Sequence, residues 1–309
     1  MRIVFMGTPP YAVPSLKALH AAGHDIVAVY TRADAKRGRG NSLVPSAVKA
    51  VAQELGLEVR TPTTLRDETE QQQLAELAPD LIAVAAYGMI LPQEVLDIPA
   101  NGTINVHGSS LPRWRGAAPV QRAILAQDKT AGVCIMQVVR ELDAGDYHPC
   151  GEVEIAGKGT EELTAELAEL GAQGLVEAVD AIENDAEYTW CAQDEGVVTY
   201  AAKIEKQETL LNPQEDAAAL ARRVQAASAS APARCVVCGK EVAVTAAVPA
   251  QDNVAAGEVL LQKKRIVIGC ESGALELLQV KPQGKKEMPV QGWINGLRNA
   301  RLVWGGIDA

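Results

Sequence analysis

The sequence predicts an α/β protein, with a Rossmann-like N-terminal domain built on a parallel sheet and a small C-terminal β-barrel domain of the OB-like type. Continuous apolar strands alternate with helices over the first part of the chain, which is typical of a parallel sheet covered on both faces. Further along, the hydrophobic period changes to two and the strands become short. The 309 residues, 48% of them hydrophobic, are sufficient for two cores.

Six segments in the first half of the chain predict strands of the parallel sheet. Most of them are runs of consecutive apolar residues, as expected for strands that are buried on both faces. The predicted strands, first to fifth, are residues 2–6, 25–30, 80–86, 102–106 and 132–139, and a short additional strand is predicted at residues 58–60.

Five segments with helical spacing of apolar residues lie between or after these strands. Ser46 is the predicted N-cap of the second helix, and Gly23 and Gly56 are predicted to end the first two. In the last and longest helix, a break is expected near Gly171 and Gly174. The predicted helices are residues 14–22, 46–55, 67–77, 117–125 and 161–182.

Three domain assignments follow from the change of pattern along the chain. Residues 187–205 are polar and lack periodicity, which predicts a linker between a catalytic domain at 1–186 and a C-terminal domain at 206–309. A helix begins at Asn212 and extends to about residue 227. The short strands after it favour a closed or partly open barrel. They are residues 234–238, 241–248, 257–262, 265–270 and 274–280.

The composition argues against several classes of protein. No apolar run reaches the ~18 residues of a membrane helix. The N-terminal apolar run is too short for a secretory signal. Six cysteines at irregular positions do not form a disulfide framework, and the Cys235 and Cys238 pair lacks a second pair at zinc-finger distance. We therefore expect a cytoplasmic monomer that holds no metal and does not contact membranes.

Charge is unevenly distributed along the sequence. The net charge is −10, of which residues 1–205 carry −13 and residues 206–309 carry +3. A mildly basic C-terminal part permits a polyanionic partner such as a nucleic acid. The alternative is that +3 over about a hundred residues is ordinary scatter.

The turn after the first strand argues against a dinucleotide cofactor. Gly7 is followed by Thr8, Pro9 and Pro10, and no Gly-x-Gly-x-x-Gly pattern is present there. The two prolines remove backbone N–H groups that a pyrophosphate would need. The fold can therefore be Rossmann-like without a nicotinamide cofactor.

A candidate catalytic pair lies at the end of the fourth strand. Asn105 and His107 are two residues apart, so both side chains point to one face of the sheet. Ligands of open α/β sheets bind outside the carboxyl ends of the strands. There an imidazole can move protons and an amide N–H₂ can hydrogen-bond a developing oxyanion. The alternative is a buried histidine satisfied by the backbone and an asparagine that caps a turn.

A carboxylate partner for the pair follows the fifth strand. Residues 140–146 form an acidic, glycine-containing loop, and Asp143 within it could lie beside His107. In that position it would raise the imidazole pKa or orient a water. The alternative is a solvated acidic turn.

The same segments carry a resemblance to a known family. The stretches concerned are Gly7-Thr8-Pro9, residues 86–92, residues 105–109, residues 111–119, residues 142–146, residues 198–204, residues 283–288 and residues 292–296. Together they resemble the methionyl-tRNA formyltransferases, which use 10-formyltetrahydrofolate, and they extend through both predicted domains. The Asn-x-His and Asp-x-Gly elements are common to the wider formyltransferase superfamily. The Leu-Pro-Arg-Trp-Arg-Gly-Ala-Ala-Pro stretch points to a narrower group of proteins than these two elements do.

The resemblance implies the chemistry of the site. Asn105 would hydrogen-bond the formyl oxygen as it becomes anionic, His107 would assist proton transfer, and Asp143 would hold His107 or a bridging water. The amine of methionine esterified to initiator tRNA would attack the formyl carbon, and tetrahydrofolate would leave through N10. The implied co-substrate is 10-formyltetrahydrofolate, and the implied partners are folate and initiator methionyl-tRNA.

The resemblance also implies binding residues. The folate-contacting residues would be Tyr87, Gly88, Met89, Ile90, Leu91, Ser109, Ser110, Leu111 and Pro112. The basic loop that enters near the acceptor end of tRNA would contain Lys36, Arg37 and Arg39. The basic clusters of the C-terminal barrel would add Lys263, Lys264, Lys285 and Lys286. Without the resemblance, each of these clusters is typical of a solvated loop or turn.

Two departures from the family pattern are visible. Ser110 stands where the family usually has an apolar residue, which predicts looser packing on folate. Residues 224–232 are rich in alanine and serine where the family usually has an aromatic and proline-rich stretch, which affects the packing between domains.

Other functions remain open from the sequence. The same N-terminal pattern fits a folate-dependent formyltransferase for a nucleotide amino sugar or a 10-formyltetrahydrofolate hydrolase. A non-enzymatic alternative is an RNA-binding module.

Overall fold

The computed structural model describes residues 1–37, 42–297 and 300–307. The chain divides into two compact units. The first contains residues 1–119, 130–154 and 164–201, and the second contains residues 120–129, 155–163 and 202–309. The domain boundaries at residues 186 and 206 stay a prediction. Within the described residues, no helix has both the length and the apolar character needed to cross a bilayer.

The first unit contains eleven strands within the described ranges. In chain order they are β1 Arg2–Gly7, β2 Asp25–Tyr30, β3 Ala35–Arg37, β4 Ser42–Val44, β5 Val59–Arg60, β6 Leu81–Ala85, β7 Thr103–His107, β8 Arg115–Gly116, β9 Thr130–Gln137, β10 Tyr147–Glu154 and β11 Tyr200–Ala201. The second unit contains seven more, which are β12 Arg234–Val237, β13 Lys240–Ala250, β14 Val259–Leu261, β15 Ile266–Gly269, β16 Ala274–Pro282, β17 Met288–Pro289 and β18 Trp304–Gly305.

The α-helices of the described residues cover the sheets and connect the strands. They are α1 Val13–Ala21, α2 Ala47–Glu54, α3 Glu68–Glu76, α4 Gln93–Leu96, α5 Pro119–Leu125, α6 Thr160–Glu183, α7 Ala217–Ala226 and α8 Val290–Ile294. The predicted cap of α2 is present, because the Ser46 hydroxyl accepts a hydrogen bond from the Lys49 N–H at 2.9 Å.

The large sheet of the first unit has the strand order β10-β9-β7-β6-β1-β2-β5. The strands from β7 to β5 are parallel, which confirms the predicted α/β class. β9 was predicted as a further parallel strand but pairs antiparallel with β7, so its predicted direction is wrong, because an apolar run marks burial and not strand direction. β10, antiparallel to β9, adds one edge that the sequence pattern did not predict. β10 contains Pro149 and Gly151 and is only half-buried, so its sequence lacks the continuous apolar run of an inner strand.

The core of the first unit is centred on β1 and β6. Residues 3–6 of β1 and all five residues of β6 are buried. Both strands have parallel neighbours and helix-covered faces, so every side chain must be apolar whichever way it points. This arrangement fixes the neighbouring strand β7, which carries the candidate site.

The long helix α6 is continuous through Gly171 and Gly174, so the break expected at these residues is wrong. A Cβ atom at Gly171 would lie 2.4 Å from Val106 Cγ1, and one at Gly174 would lie 2.3 Å from Cys150 Sγ. The two glycines therefore let α6 approach β7 and β10 closely. Their role is steric clearance, which a sequence pattern cannot distinguish from helix breaking.

The second unit confirms the predicted small barrel. Its antiparallel strands have the order β14-β15-β16-β13-β12-β18, and β17 pairs with β16. The two ends of this sheet meet where the Val259 N–H donates to the Leu302 carbonyl at 3.0 Å, beside an antiparallel bridge between Glu258 and Val303. Cys235 and Cys238 both belong to the apolar core of this unit. The barrel is therefore nearly closed around its own core.

Candidate active site

The candidate catalytic pair lies at the carboxyl end of β7, in the middle of the sheet. Asn105 pairs with Val84 of β6 on one side and with Met136 of β9 on the other. Asn105 and His107 are two residues apart on the strand, so their side chains share one face. His107 is 6% exposed, and Asn105 is half-buried. The neighbouring strands therefore fix the backbone of both residues.

The His107 ring is held between a carbonyl and a carboxylate. Nε2 lies 3.1 Å from the Trp114 carbonyl oxygen, and Nδ1 lies 3.8 Å from Asp143 Oδ2. A carbonyl oxygen only accepts, so Nε2 carries a proton and donates it. Nδ1 then faces the Asp143 carboxylate, and a proton taken up there would be directed towards a negative charge. The structure thus brings together His107 from the end of β7 and Asp143 from a separate turn.

Asp143 lies in the turn between β9 and β10. Its Oδ2 accepts a hydrogen bond from the Gly116 N–H at 2.8 Å, and its backbone has a left-handed φ of 48°. Aspartate tolerates this conformation better than most residues. The carboxylate is therefore aimed by a backbone donor from the loop that follows His107.

Cys134 lies close to His107 but does not fit a nucleophile. Its thiol lies 3.8 Å from the His107 carbonyl oxygen, and burial raises the pKa of this thiol far above its usual range. Burial likewise raises the pKa of Cys150 to about 11. A thiol is nucleophilic only as the thiolate, so neither cysteine is activated near neutral pH.

The loop after β6 contains the first group of predicted folate-contacting residues. Tyr87 is buried, and its carbonyl accepts from the Thr8 hydroxyl at 2.8 Å, while the Gly88 carbonyl accepts from Arg32 at 3.3 Å. Met89 and Leu91 are half-buried against the core, whereas Ile90 is 72% exposed. The loop is thus anchored by its backbone and presents one large apolar side chain to solvent.

The second predicted group, Ser109 to Pro112, directly follows β7. Ser109 and Leu111 are buried, Pro112 is half-buried, and the Leu111–Pro112 peptide bond is cis. The exposed Ser110 donates from its hydroxyl to Glu152 of β10 at 2.8 Å. It packs over Gly132, where a Cβ atom would lie 1.9 Å from Ser110 Oγ. The departure at Ser110 therefore ties this loop to the edge of the sheet.

The predicted tRNA-binding residues lie in both units. Lys36 is exposed on the hairpin of β3 and β4, where Arg37 is also located, and Arg39 lies outside the described residues. In the second unit, four exposed lysines lie in the turns between β14 and β15 and between β16 and β17. They are Lys263, Lys264, Lys285 and Lys286.

Sequence reasoning missed one part of the site, residues 193–201, which we call the strap. It lies within the segment predicted as a linker, and it contacts both loops around His107. Thr199 accepts the Trp114 N–H through its hydroxyl at 2.9 Å and the Arg115 N–H through its carbonyl at 2.9 Å. β11 of the strap pairs in parallel with β8. Single polar contacts of this kind have no periodicity, so only the resemblance of residues 198–204 pointed to the segment.

Comparisons with known proteins agree with this architecture. Residues 1–179 match the formyl transferase family, and residues 203–298 match the C-terminal domain of formyl transferases. The chain is 44% identical over 302 residues to a methionyl-tRNA formyltransferase of Methylococcus capsulatus, covering 96% of each chain. It is 44% identical over 310 residues to that of Novosphingobium aromaticivorans, covering 99% of each.

Solved structures share the fold at much lower identity. HypX from Aquifex aeolicus, solved with tetrahydrofolic acid, has a TM-score of 0.65 at 21% identity over 98% of this chain. The match covers 48% of HypX, so this chain spans about half the length of that protein. An N-formyltransferase from Helicobacter canadensis has a TM-score of 0.62 at 15% identity and covers 89% of this chain and 98% of that one.

The family match covers more than half of the chain, and the relatives are similar over nearly their whole length. The chain therefore belongs to the methionyl-tRNA formyltransferase family and is a formyl-transferring enzyme.

Proposed function

We propose that the enzyme transfers the formyl group of 10-formyltetrahydrofolate to the amino group of methionine on initiator methionyl-tRNA. The observation that carries this proposal is the meeting of His107 with Asp143, on the same strand face as Asn105, in a chain 44% identical to methionyl-tRNA formyltransferases. The product is N-formylmethionyl-tRNA, the form used to initiate translation. The cytoplasmic location and the monomeric state stay predictions.

The reaction needs a place for negative charge and a route for one proton. When the amine nitrogen attacks the formyl carbon, the carbonyl electron pair moves to oxygen and a tetrahedral oxyanion forms. We assign the Asn105 amide N–H₂ as the hydrogen-bond donor to this oxyanion. One such donor accelerates the reaction about 10²- to 10³-fold in comparable sites. Collapse of the intermediate breaks the bond between the formyl carbon and N10, and N10 takes a proton as tetrahydrofolate leaves.

We assign the transfer of that proton to His107 and Asp143. The Trp114 carbonyl fixes the ring by accepting from Nε2, and the Asp143 carboxylate faces Nδ1. The pair can accept the proton that the attacking amine loses and return it to N10. The positive charge on the imidazole is then stabilised by the carboxylate 3.8 Å away.

A folate-derived donor is supported by family membership and by one exposed apolar side chain in the loop after β6, the strand next to β7. Ile90 offers a large apolar contact, and the backbone of its loop is anchored through Tyr87 and Gly88. We assign this loop and the Ser109–Pro112 loop to the donor. Ser110 is turned towards Glu152, so its hydroxyl serves the loop conformation.

We assign tRNA binding chiefly to the second unit. Its exposed Lys263, Lys264, Lys285 and Lys286 can contact phosphates, which position a nucleic acid without reading its sequence. The hairpin of Lys36 in the first unit is assigned to the acceptor end. Phosphate contacts release counterions, so tRNA affinity should fall as salt increases.

The amino-sugar alternative receives less support. The N-formyltransferase of Helicobacter canadensis, solved with dTDP-3-aminofucose, is only 15% identical to this chain, whereas the methionyl-tRNA formyltransferases are 44% identical over both matched domains. An RNA-binding module without activity would not need the His107–Asp143 contact.

One assay tests the proposal directly. Formyl transfer from 10-formyltetrahydrofolate is measured with charged initiator methionyl-tRNA as the acceptor and a nucleotide amino sugar as the control acceptor. We expect formylation of the tRNA-bound methionine only. Formylation of the sugar alone, or hydrolysis of the donor without transfer, would overturn the proposal.

A further inference from the structure

The Asp143 turn is supported from outside by one side chain of the strap. Gln193 Nε2 donates to the Asp143 carbonyl at 2.8 Å and to the Gly145 carbonyl at 2.7 Å. Its Oε1 accepts from Arg115 Nε at 2.9 Å. The two carbonyls only accept and the guanidinium only donates, so chemistry fixes the orientation of this amide. Gln193 therefore bridges Arg115 and the backbone of the Asp143 turn.

The Arg115 guanidinium, to which Gln193 is hydrogen-bonded, is itself held in place. The residue is 3% exposed, and its guanidinium also contacts Glu195 at 2.7 Å. A buried charge must stay paired, so the guanidinium has little freedom to move. The next residue, Gly116, donates its N–H to the Asp143 carboxylate. The Asp143 backbone and its carboxylate are thus both held from the same short strand, β8.

The turn itself has a conformation that needs such support. Asp143 has a left-handed φ of 48°, a region that side-chain-bearing residues rarely adopt. At Gly145, a Cβ atom would lie 1.9 Å from the Gln137 carbonyl oxygen, so the chain passes very close to the end of β9. These two constraints, at residues 143 and 145, leave few ways to place the Asp143 carboxylate, and Gln193 selects one of them by donating to the Asp143 and Gly145 carbonyls.

We propose that Gln193 is a positioning residue for formyl transfer, which acts by holding the Asp143 turn so that the carboxylate faces His107. The inference rests on the proposed role of Asp143 in the reaction. Among the described residues, no hydrogen bond joins Gln193 to His107 or to the Asp143 carboxylate, and both bonds that Gln193 donates go to the Asp143 turn. Arg115 keeps its ion pair with Glu195 when Gln193 is replaced, so we expect the effect on the rate to pass mainly through Asp143. A displacement of a reacting group by about 1 Å can cost on the order of 100-fold in rate.

The main test is a double-mutant cycle measured by formylation of methionyl-tRNA. Gln193→Met keeps the length of the side chain and removes every hydrogen bond. We expect kcat to fall about 10- to 100-fold with KM for both substrates changed by less than about threefold. Asp143→Asn alone should lower kcat at least as much. In the double variant, the Gln193 substitution should add less than about twofold, because the group that it positions is already lost.

A second variant keeps the test independent of folding. Gln193→Glu retains an acceptor for Arg115, but when ionised it cannot donate to the two carbonyls. We expect kcat relative to the native enzyme to recover as the pH is lowered, because protonation of the introduced carboxyl restores one donor. A loss caused only by misfolding would not reverse with pH. Gln72→Met is the matched control, because the Gln72 side chain, on the exposed face of α3, donates within the described part of the chain only to Glu76 at 3.4 Å.

The outcomes separate this inference from the proposed function. If Asp143→Asn keeps native kcat, the catalytic assignment itself is wrong. If Asp143→Asn is impaired while Gln193→Met keeps native kcat, or if the two losses multiply fully in the double variant, the inference about Gln193 is wrong. Impairment of Gln193→Met with non-additive coupling to Asp143 and pH-dependent recovery of Gln193→Glu supports it.

Discussion

The two halves of the candidate site are held in different ways. Asn105 and His107 lie on β7, an inner strand with hydrogen-bonded neighbours on both sides. Asp143 lies in a turn whose position depends on single contacts from Gly116 and Gln193. The alternation of side chains along the strand therefore orients the Asn105 amide and the His107 imidazole. The Asp143 carboxylate is instead oriented by polar contacts with residues that are distant in the sequence. We expect substitutions of Asn105 or His107 to remove a reacting group. Substitutions around the turn should leave the reacting groups present but move the Asp143 carboxylate out of position.

The largest effect should come from removing the strand-borne groups themselves. We expect Asn105→Ala and His107→Ala each to lower kcat by at least about 100-fold, the usual scale for losing an oxyanion donor or an acid–base group. Single-turnover formylation of methionyl-tRNA measures this loss, and thermal unfolding checks that the variants are folded. Native turnover by either variant would contradict its assigned role.

The turn can be displaced without removing any reacting group. In Gly145→Ala, the added Cβ would meet the Gln137 carbonyl at 1.9 Å, so the Asp143 turn must move. We expect kcat to fall about 10- to 100-fold while His107 and Asn105 stay in place. Gly305→Ala is the matched control, because among residues 1–37, 42–297 and 300–307, its two chain neighbours aside, no atom lies within 4 Å of a Cβ there. Equal kcat values for the two variants would show that the turn tolerates displacement.

The packing of β7 can also be disturbed from the face opposite Asn105 and His107. Gly171→Ala would bring a Cβ to within 2.4 Å of Val106 Cγ1, and overpacking of this kind typically costs about 1–3 kcal/mol of stability. Val106 points away from the face of Asn105 and His107. We therefore expect a lower midpoint in chemical denaturation but, well below it, a kcat within about threefold of native. A large loss of kcat in the folded variant would mean that β7 is less rigid than its neighbours suggest.

The smallest change in stability and kcat is expected from a substitution of Tyr11, which lies beneath the turn that follows β7. The Tyr11 hydroxyl lies 3.5 Å from the position of a Cβ at Gly108, and it has no hydrogen-bond partner among the described residues. Burial raises the pKa of Tyr11, so the hydroxyl stays neutral at ordinary pH. Tyr11→Phe removes an unsatisfied polar group and should leave stability equal or up to about 1 kcal/mol higher, with native kcat. Denaturant unfolding and the formylation assay measure both quantities, and a clear loss of either would assign the hydroxyl a role.

The contrast between strand and turn also explains what the sequence could predict. The period of two on β7 places Asn105 and His107 on one face by itself, and the apolar runs of β1 and β6 identify the inner strands. The antiparallel edge strand β10 was missed because its residues are half-buried and interrupted by Pro149 and Gly151. A pattern of hydrophobicity contains no signal for such an edge.

The strap is the clearest example of what a pattern cannot contain. Gln193 and Thr199 each make their contacts through one polar side chain or carbonyl, with partners 50 and 85 residues away in the chain. Nothing in the local sequence distinguishes them from the solvated residues of a linker. The three-dimensional path of the chain is needed to see that they contact the Asp143 turn and Trp114 of the candidate site.

The contact between Ser110 and Gly132 has a consequence for sequence variation. A Cβ at residue 132 would collide with the Ser110 hydroxyl at 1.9 Å and approach the Ser110 backbone nitrogen at 3.1 Å. Position 132 therefore cannot gain a side chain while Ser110 keeps its place: among descendants of this enzyme, the first methyl group to appear at 132 should arise only where the segment around 110 has already been rebuilt.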